Sequence, residues 1–166
     1  HGLWEGTESP RQAQLNLTRT LAQAAQISAG ACVLDVGCGL GGSSIELAKA
    51  HDCQVTGITL SPVQRRWAAS SACWHGVSDR TGFLCQDAET ARFAQGEFDV
   101  VWSVECTEHL FDKATFFRRV GQWLRPGGRV AICAWLANDP LSQSQERQIY
   151  DVCEGMFCPS LGTRQD

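Results

Sequence analysis

Five short runs of Val, Ile, Leu, Cys and aromatic residues recur along the chain, at 32–35, 54–59, 82–85, 98–103 and 129–135, with room for a helix between each pair. They are nearly continuous rather than alternating, the pattern of strands covered on both faces, and parallel pairing follows from that. The intervening segments carry helix punctuation. Ser9-Pro10 supplies an N-cap and a first-turn proline, and Ala13, Leu17, Leu21 and Ala24 then recur at helical spacing until Gly30. Ser43 with Glu46 reads as a capping box opening a helix through Ala50. Ser61-Pro62 starts a third helix, whose Val63, Trp67 and Trp74 share one side and read as a packing face. Asp112 caps a fourth, with Phe116, Phe117, Val120 and Leu124 pointing one way before Arg125-Pro126-Gly127-Gly128 stops it, and Asp139-Pro140 opens a last one. Strands alternating with helices predict a doubly wound α/β sheet with right-handed crossovers.

At 166 residues the chain fits one domain that can bury its own core. Its net charge is −4 and it has no Lys/Arg cluster, which argues against nucleic acid or an anionic membrane as partner. No apolar run approaches the ~20 residues of a bilayer span, and the first residues are not signal-like, so the chain is expected to be cytoplasmic. Nine cysteines occur, but the number is odd and no pair is spaced C-x-x-C. Neither a disulfide scaffold nor a metal site is expected. The chain begins at His1 rather than methionine and stops at Asp166 shortly after a Gly-containing turn, so truncation is expected.

The segment Val33-Leu34-Asp35-Val36-Gly37-Cys38-Gly39-Leu40-Gly41-Gly42 is a strand running into a glycine turn and then a helix. Such a turn lets a ligand approach the backbone closely at the carboxyl end of the strand. Gly37, Gly39 and Gly42 satisfy the dinucleotide pattern G-x-G-x-x-G. A dinucleotide site wants an acid about twenty positions on, however, and that position falls near Thr59. Asp35 just before the loop would oppose a pyrophosphate and suits an ammonium-bearing ligand instead.

The Asp35-x-Gly37-x-Gly39-x-Gly41 pattern resembles the first motif of class I S-adenosylmethionine-dependent methyltransferases. The resemblance continues through Gly57-Ile58-Thr59-Leu60-Ser61-Pro62-Val63-Gln64, Gln86-Asp87-Ala88 and Leu124-Arg125-Pro126-Gly127-Gly128-Arg129. The branch it looks like holds the tocopherol, sterol and sugar O-methyltransferases, coclaurine-type N-methyltransferases and cyclopropane synthases; His1-Gly2-Leu3-Trp4 and Pro159-Ser160-Leu161-Gly162 look like that branch too. The resemblance implies a Rossmann-like sheet of order 3-2-1-4-5, lacking the family's last two strands. It implies a lid helix over 1–28, a core over 29–136 and the start of a cap over 137–166. The uncovered fifth strand would then be an apolar edge open to a second copy.

By the same resemblance, Asp35 would hold the methionine amino group of S-adenosylmethionine. Gly37, Cys38, Gly39 and Gly41 would lend backbone, and the Ser103 carbonyl a further acceptor. Thr59, Leu60 and Gln64 would surround the ribose, while Asp87 and Ala88 would receive the adenine. The plain alternatives are that Asp87 only turns the chain and that Thr59 and Gln64 are a strand end and a solvated helix position.

After the fourth strand stands Glu105-Cys106-Thr107-Glu108-His109. On a helical turn positions 105, 108 and 109 share a face, so two carboxylates and an imidazole could converge at the pocket mouth. The pattern resembles the branch's acceptor-orienting segment, with His109 as general base and Glu105 and Glu108 as orienters. The plain reading is that Glu108 and His109 begin a helix and bond to backbone. The expected reaction is in-line methyl transfer to an O, N or C nucleophile of a small molecule. A cofactor-binding fragment without activity and an NAD-dependent oxidoreductase are the competing readings.

Overall fold

The computed structural model describes residues 2–138 and 140–163, so His1 and Asp139 lie outside the described residues. Five parallel strands form one sheet: β1 (Cys32–Val36), β2 (Gln54–Thr59), β3 (Thr81–Cys85), β4 (Phe98–Val104) and β5 (Leu124–Cys133). Their order is β3-β2-β1-β4-β5, the expected one. The helices are α1 (Pro10–Ala25), α2 (Gly42–His51), α3 (Pro62–Trp74), α4 (Lys113–Trp123) and α5 (Gln143–Met156).

Both faces of the sheet are covered, which is why the strands read as unbroken apolar runs. On one face Val33, Val55 and Trp102 pack with Ala22 of α1, Ile45 and Leu47 of α2 and Ala68 of α3. On the other, Leu34, Val36, Ile58 and Val101 meet Phe116, Val120 and Trp123 of α4. The order of strands reverses between β1 and β4, and the crevice outside their carboxyl ends is where open α/β sheets bind ligands. At the opposite end, Asp99 fixes the same pair of strands. Its carboxylate accepts the Cys32 N–H at 2.8 Å and both oxygens receive the Arg125 guanidinium, at 2.9 and 2.8 Å.

Several local readings are corrected. The Ser43–Glu46 box does not form: α2 is capped by Gly41 in the left-handed region, without a side-chain cap, and Glu46 pairs with Arg19 instead. α1 ends at Ala25, with Gln26 rather than Gly30 as its left-handed cap. The last helix opens at Gln143, where Ser142 and Gln145 make a reciprocal capping box. The side of α3 carrying Val63, Trp67 and Trp74 is not a packing face; Trp67 is 65% and Trp74 89% exposed, and α3 docks through Ala68 and Ala72. On α4, Phe116 and Val120 are buried as expected, but Trp123 completes the face; Phe117 is exposed and Leu124 already belongs to β5. The Ser9, Ser61 and Asp112 caps form as read. Among the described residues no helix is long and apolar enough to cross a membrane.

Candidate functional site

The glycine loop after β1 folds back onto β2: the N–H groups of Gly37 and Cys38 both donate to the Ile58 carbonyl, at 3.0 and 2.9 Å. These two donors are therefore taken up within the fold and are not offered to a ligand. Gly37 has φ +77°, and a Cβ there would overlap the Cys106 side chain. Gly41 has φ +81°, and its Cβ would stand 2.9 Å from Ala68 Cβ. Gly41 thus serves close packing of α2 and α3 and does not line the cavities beside the loop, whereas Gly37, Gly39 and Cys38 do.

Asp35 sits at the root of this loop, 2% exposed, beside a cavity of about 300 Å³ that also takes in Gln14 of α1, Gly39, Ser43 and Val104. Burial pushes its carboxyl up to about 6, against the lowering effect of hydrogen bonds from the Ser44 hydroxyl and N–H. A carboxylate held dry at the end of a glycine-lined cavity can receive a cationic group, whose charge would relieve that burial. The same dryness pushes the thiol of Cys38 well above its usual range and that of Cys106 to about 11, in each case by burial first and then by the charge of Asp35.

Across Gly37 and Gly39 a second cavity of about 390 Å³ continues the cleft. It brings together Thr59, Leu60, Gln64, Asp87, Ala88, Glu105 and His109 from three strand ends. The Thr59 hydroxyl donates to Gln64 Oε1 at 2.7 Å, which leaves the Gln64 NH₂ as the donating end. Asp87 is exposed and its Oδ1 accepts the Glu89 N–H at 2.9 Å, so it does turn the chain, while still lining the cleft. Ala88 is buried beneath, and Leu60 stands 73% exposed at the rim. Ser103 lines neither cavity: it is buried and its hydroxyl donates to the Val36 carbonyl at 3.2 Å, stapling β4 to β1. Gln14, Ser44, Val104, Leu110 and Phe111 were not singled out from the sequence. Of these only Ser44 left a signal, as a hydroxyl in the first turn of the helix after the loop.

The segment after β4 does not converge as a helical turn would. Glu105 has φ +49° and only Thr107–His109 form a single 3₁₀ turn. Glu105 and His109 therefore face the cleft, while Glu108 turns away to a separate cavity of about 630 Å³ beside α4 and the end of β5. Glu108 is 2% exposed; its Oε1 accepts the Trp135 N–H at 2.6 Å, and Oε2 has no partner among the described residues. His109 Nδ1 lies 3.4 Å from the Phe157 carbonyl. A carbonyl can only accept, so this contact requires Nδ1 to carry the proton and leaves Nε2 of a neutral ring as a base.

Residues 33–128, from the start of the glycine strand to the turn before the last strand run, match the methyltransferase-domain family. The chain belongs to this family. It is 38% identical over 140 residues to tocopherol O-methyltransferase, chloroplastic, of Arabidopsis thaliana, covering 81% of this chain and 40% of that protein. It is 38% identical over 133 residues to 27-O-demethylrifamycin SV methyltransferase of Amycolatopsis mediterranei, covering 80% and 49% respectively. Among solved structures, the cyclase SpnF superposes with a TM-score of 0.76 at 34% identity, over 80% of this chain and 49% of that one. The chain spans less than half the length of the curated relatives it matches. As a methyltransferase domain it has the parallel Rossmann-like sheet in the expected order.

Proposed function

We propose that this methyltransferase domain binds S-adenosylmethionine and transfers its methyl group to an O, N or C nucleophile of a small molecule. The observation that carries the reading is the buried Asp35 carboxylate at one end of a glycine-lined cleft whose other end gathers Gln64 and Asp87. The residues fit the cofactor. Asp35 would take its ammonium group, the Gln64 NH₂ its ribose hydroxyls, and the outer oxygen of Asp87 its adenine amino group, with Ala88 and Ile58 as apolar walls. Bound there, the cofactor supplies a methyl group made electrophilic by a positively charged sulfur.

The chain's own contribution is placement and proton removal. His109, with Nδ1 facing the Phe157 carbonyl, would accept the acceptor's proton at Nε2, and Glu105 on the same side of the cleft would orient the acceptor. Glu108 acts through position: it holds the Trp135 N–H and so fixes the segment following β5. Gln14 supports the reading of 1–28 as a lid, since it brings α1 to the Asp35 cavity; 29–136 would be the core and 137–166 the start of a cap. The β5 edge, with Val130 exposed, would pair with a second copy, and solution mass tests that. Cytoplasmic placement rests on the nine unpaired cysteines and is tested by cell fractionation.

The test is methyl transfer from labelled S-adenosylmethionine to a panel of phenols, amines and prenylated quinols. His109→Ala is expected to lose at least tenfold in turnover with binding of S-adenosylhomocysteine retained; equal turnover would remove the base assignment. A second reading, ligand binding without methyl transfer, is favoured by the likeness to a cyclase. It predicts S-adenosylhomocysteine binding with no cofactor consumed.

A further inference from the structure

The C-terminal end of α5 brings two thiols together outside the cleft. Cys153 and Cys158 are both buried, at 9% and 7% exposure. Phe157 between them takes the left-handed conformation, φ 54°, and reverses the chain so that the Cys158 N–H donates to the Cys153 carbonyl at 3.0 Å. The N–Cα bond on one side of that hydrogen bond, about 1.5 Å, and the O···Cα separation across the carbonyl on the other, about 2.4 Å, together keep the α-carbons within ~7 Å. A disulfide needs roughly 4.4–6.8 Å. The two side chains are neighbours, near enough that the Cys153 thiol helps to raise that of Cys158 after burial. The intervening Phe157 is 91% exposed, and its carbonyl is the partner of His109.

We propose that Cys153 and Cys158 form a reversible disulfide by exchange with a low-molecular-weight disulfide, and that the bond is felt at His109 through the Phe157 carbonyl. In the first step one cysteine thiolate attacks a sulfur of the oxidant, forming a mixed disulfide and releasing one thiolate. The second cysteine, deprotonated in turn, attacks the protein sulfur of that intermediate and expels the other half. Two thiols of the protein lose their protons and two electrons, and the oxidant leaves as two thiols. Burial and the neighbouring thiol hold Cys158 above the ordinary thiol range, so the exchange quickens as pH rises. Cleavage after Arg147 and Arg164 leaves both cysteines in one peptide, and no other cysteine falls in it.

The full chain is incubated with oxidised glutathione, alkylated with iodoacetamide and digested with trypsin. The expected peptide is unalkylated and two hydrogens lighter than the reduced form, and it regains both alkyl groups after treatment with dithiothreitol. Cys153→Ser is expected to retain a glutathione adduct at Cys158 that the native chain does not accumulate. Two alkylated cysteines in this peptide after oxidation, or a cross-link to another cysteine, would overturn the exchange site. The imidazole proton signals of His109, assigned with His109→Gln, are expected to move on oxidation in the native chain and not in the double variant Cys153→Ser/Cys158→Ser, which can form neither the disulfide nor an adduct there. A disulfide that leaves them unmoved would overturn the coupling. Neither readout depends on methyl transfer.

Discussion

The Ser44 hydroxyl donates to Asp35 Oδ2 across 2.5 Å, tying the first turn of α2 to the end of β1 beneath the glycine loop. Among the described residues it is the one side-chain bond that offsets the dryness of Asp35. A buried acid kept partly satisfied in this way destabilises the fold when charged, and under the proposed function that same charge would seat the cofactor's ammonium group.

Asp35→Asn should separate those two effects. The amide oxygen can still accept from Ser44, but no charge is buried. Asp35 has a folded-state value of about 6 against an ordinary 3.8, so the folded state holds the proton more tightly between those values and native stability falls as pH rises through that window. The variant's advantage should be absent below about pH 4 and reach at most about 3 kcal/mol above pH 6. Urea unfolding of both proteins from pH 4 to 7 checks this, and a variant no more stable at pH 7 than the native chain would remove the burial argument.

Ligand affinity should run the opposite way with pH. A cationic amino group needs the ionised carboxylate, so binding of S-adenosylhomocysteine should strengthen by up to about tenfold per pH unit below 6 and level off above it. Calorimetric titration between pH 5 and 8 reads the slope. In Asp35→Asn the slope over this range should vanish along with most of the affinity.

Gly37→Ala tests why the loop needs glycine. The residue would carry a side chain at φ +77° and overlap Cys106. The left-handed backbone alone costs roughly 1–2 kcal/mol, and the overlap adds to it. Cys106→Gly in the same chain should restore part of the loss, namely the overlap and not the backbone cost. Equal stability of the single and double variants would show that the contact is not the constraint.

Asp99→Ala would leave the Cys32 N–H without its acceptor and Arg125 without its pair. Breaking charge-assisted bonds of this kind costs about 1.5–3 kcal/mol each at the buried end and less where solvent reaches. A loss of roughly 2 kcal/mol in chemical denaturation is expected, with cofactor binding unchanged, because the pair lies at the end of the sheet away from the cleft. Trp74→Ser serves as the control: with the ring 89% exposed, its effect should stay within about 0.5 kcal/mol.

How far the sequence carried can be judged at particular residues. The unbroken runs of β1 and β4 announced strands buried on both faces, and the glycines after Asp35 announced the turn at the end of β1. Ser61 and Asp112 capped as read because a cap is a local bond, complete within three residues. Ser43 did not, because Gly41 in the left-handed region had already started α2 and Glu46 found Arg19 on another helix. The side of α3 with Trp67 and Trp74 looked like a core face, since periodicity records which residues share a side and not which side meets the sheet. That was decided by small Ala68 and Ala72, which let the helix approach.

The division is sharpest at Glu105, Glu108 and His109. Sequence alone supplied the residue types and placed them just beyond the strand at the crevice. Whether they converge depended on the path of the backbone, and the left-handed turn at Glu105 followed by one 3₁₀ turn sent Glu108 to the Trp135 N–H, leaving Glu105 and His109 at the cleft. Local hydrogen bonding and hydrophobic period are written in neighbouring residues. The direction of a side chain after an irregular turn is set by partners far along the chain, here Cys133, Trp135 and Phe157, and only the folded structure brings those to the site.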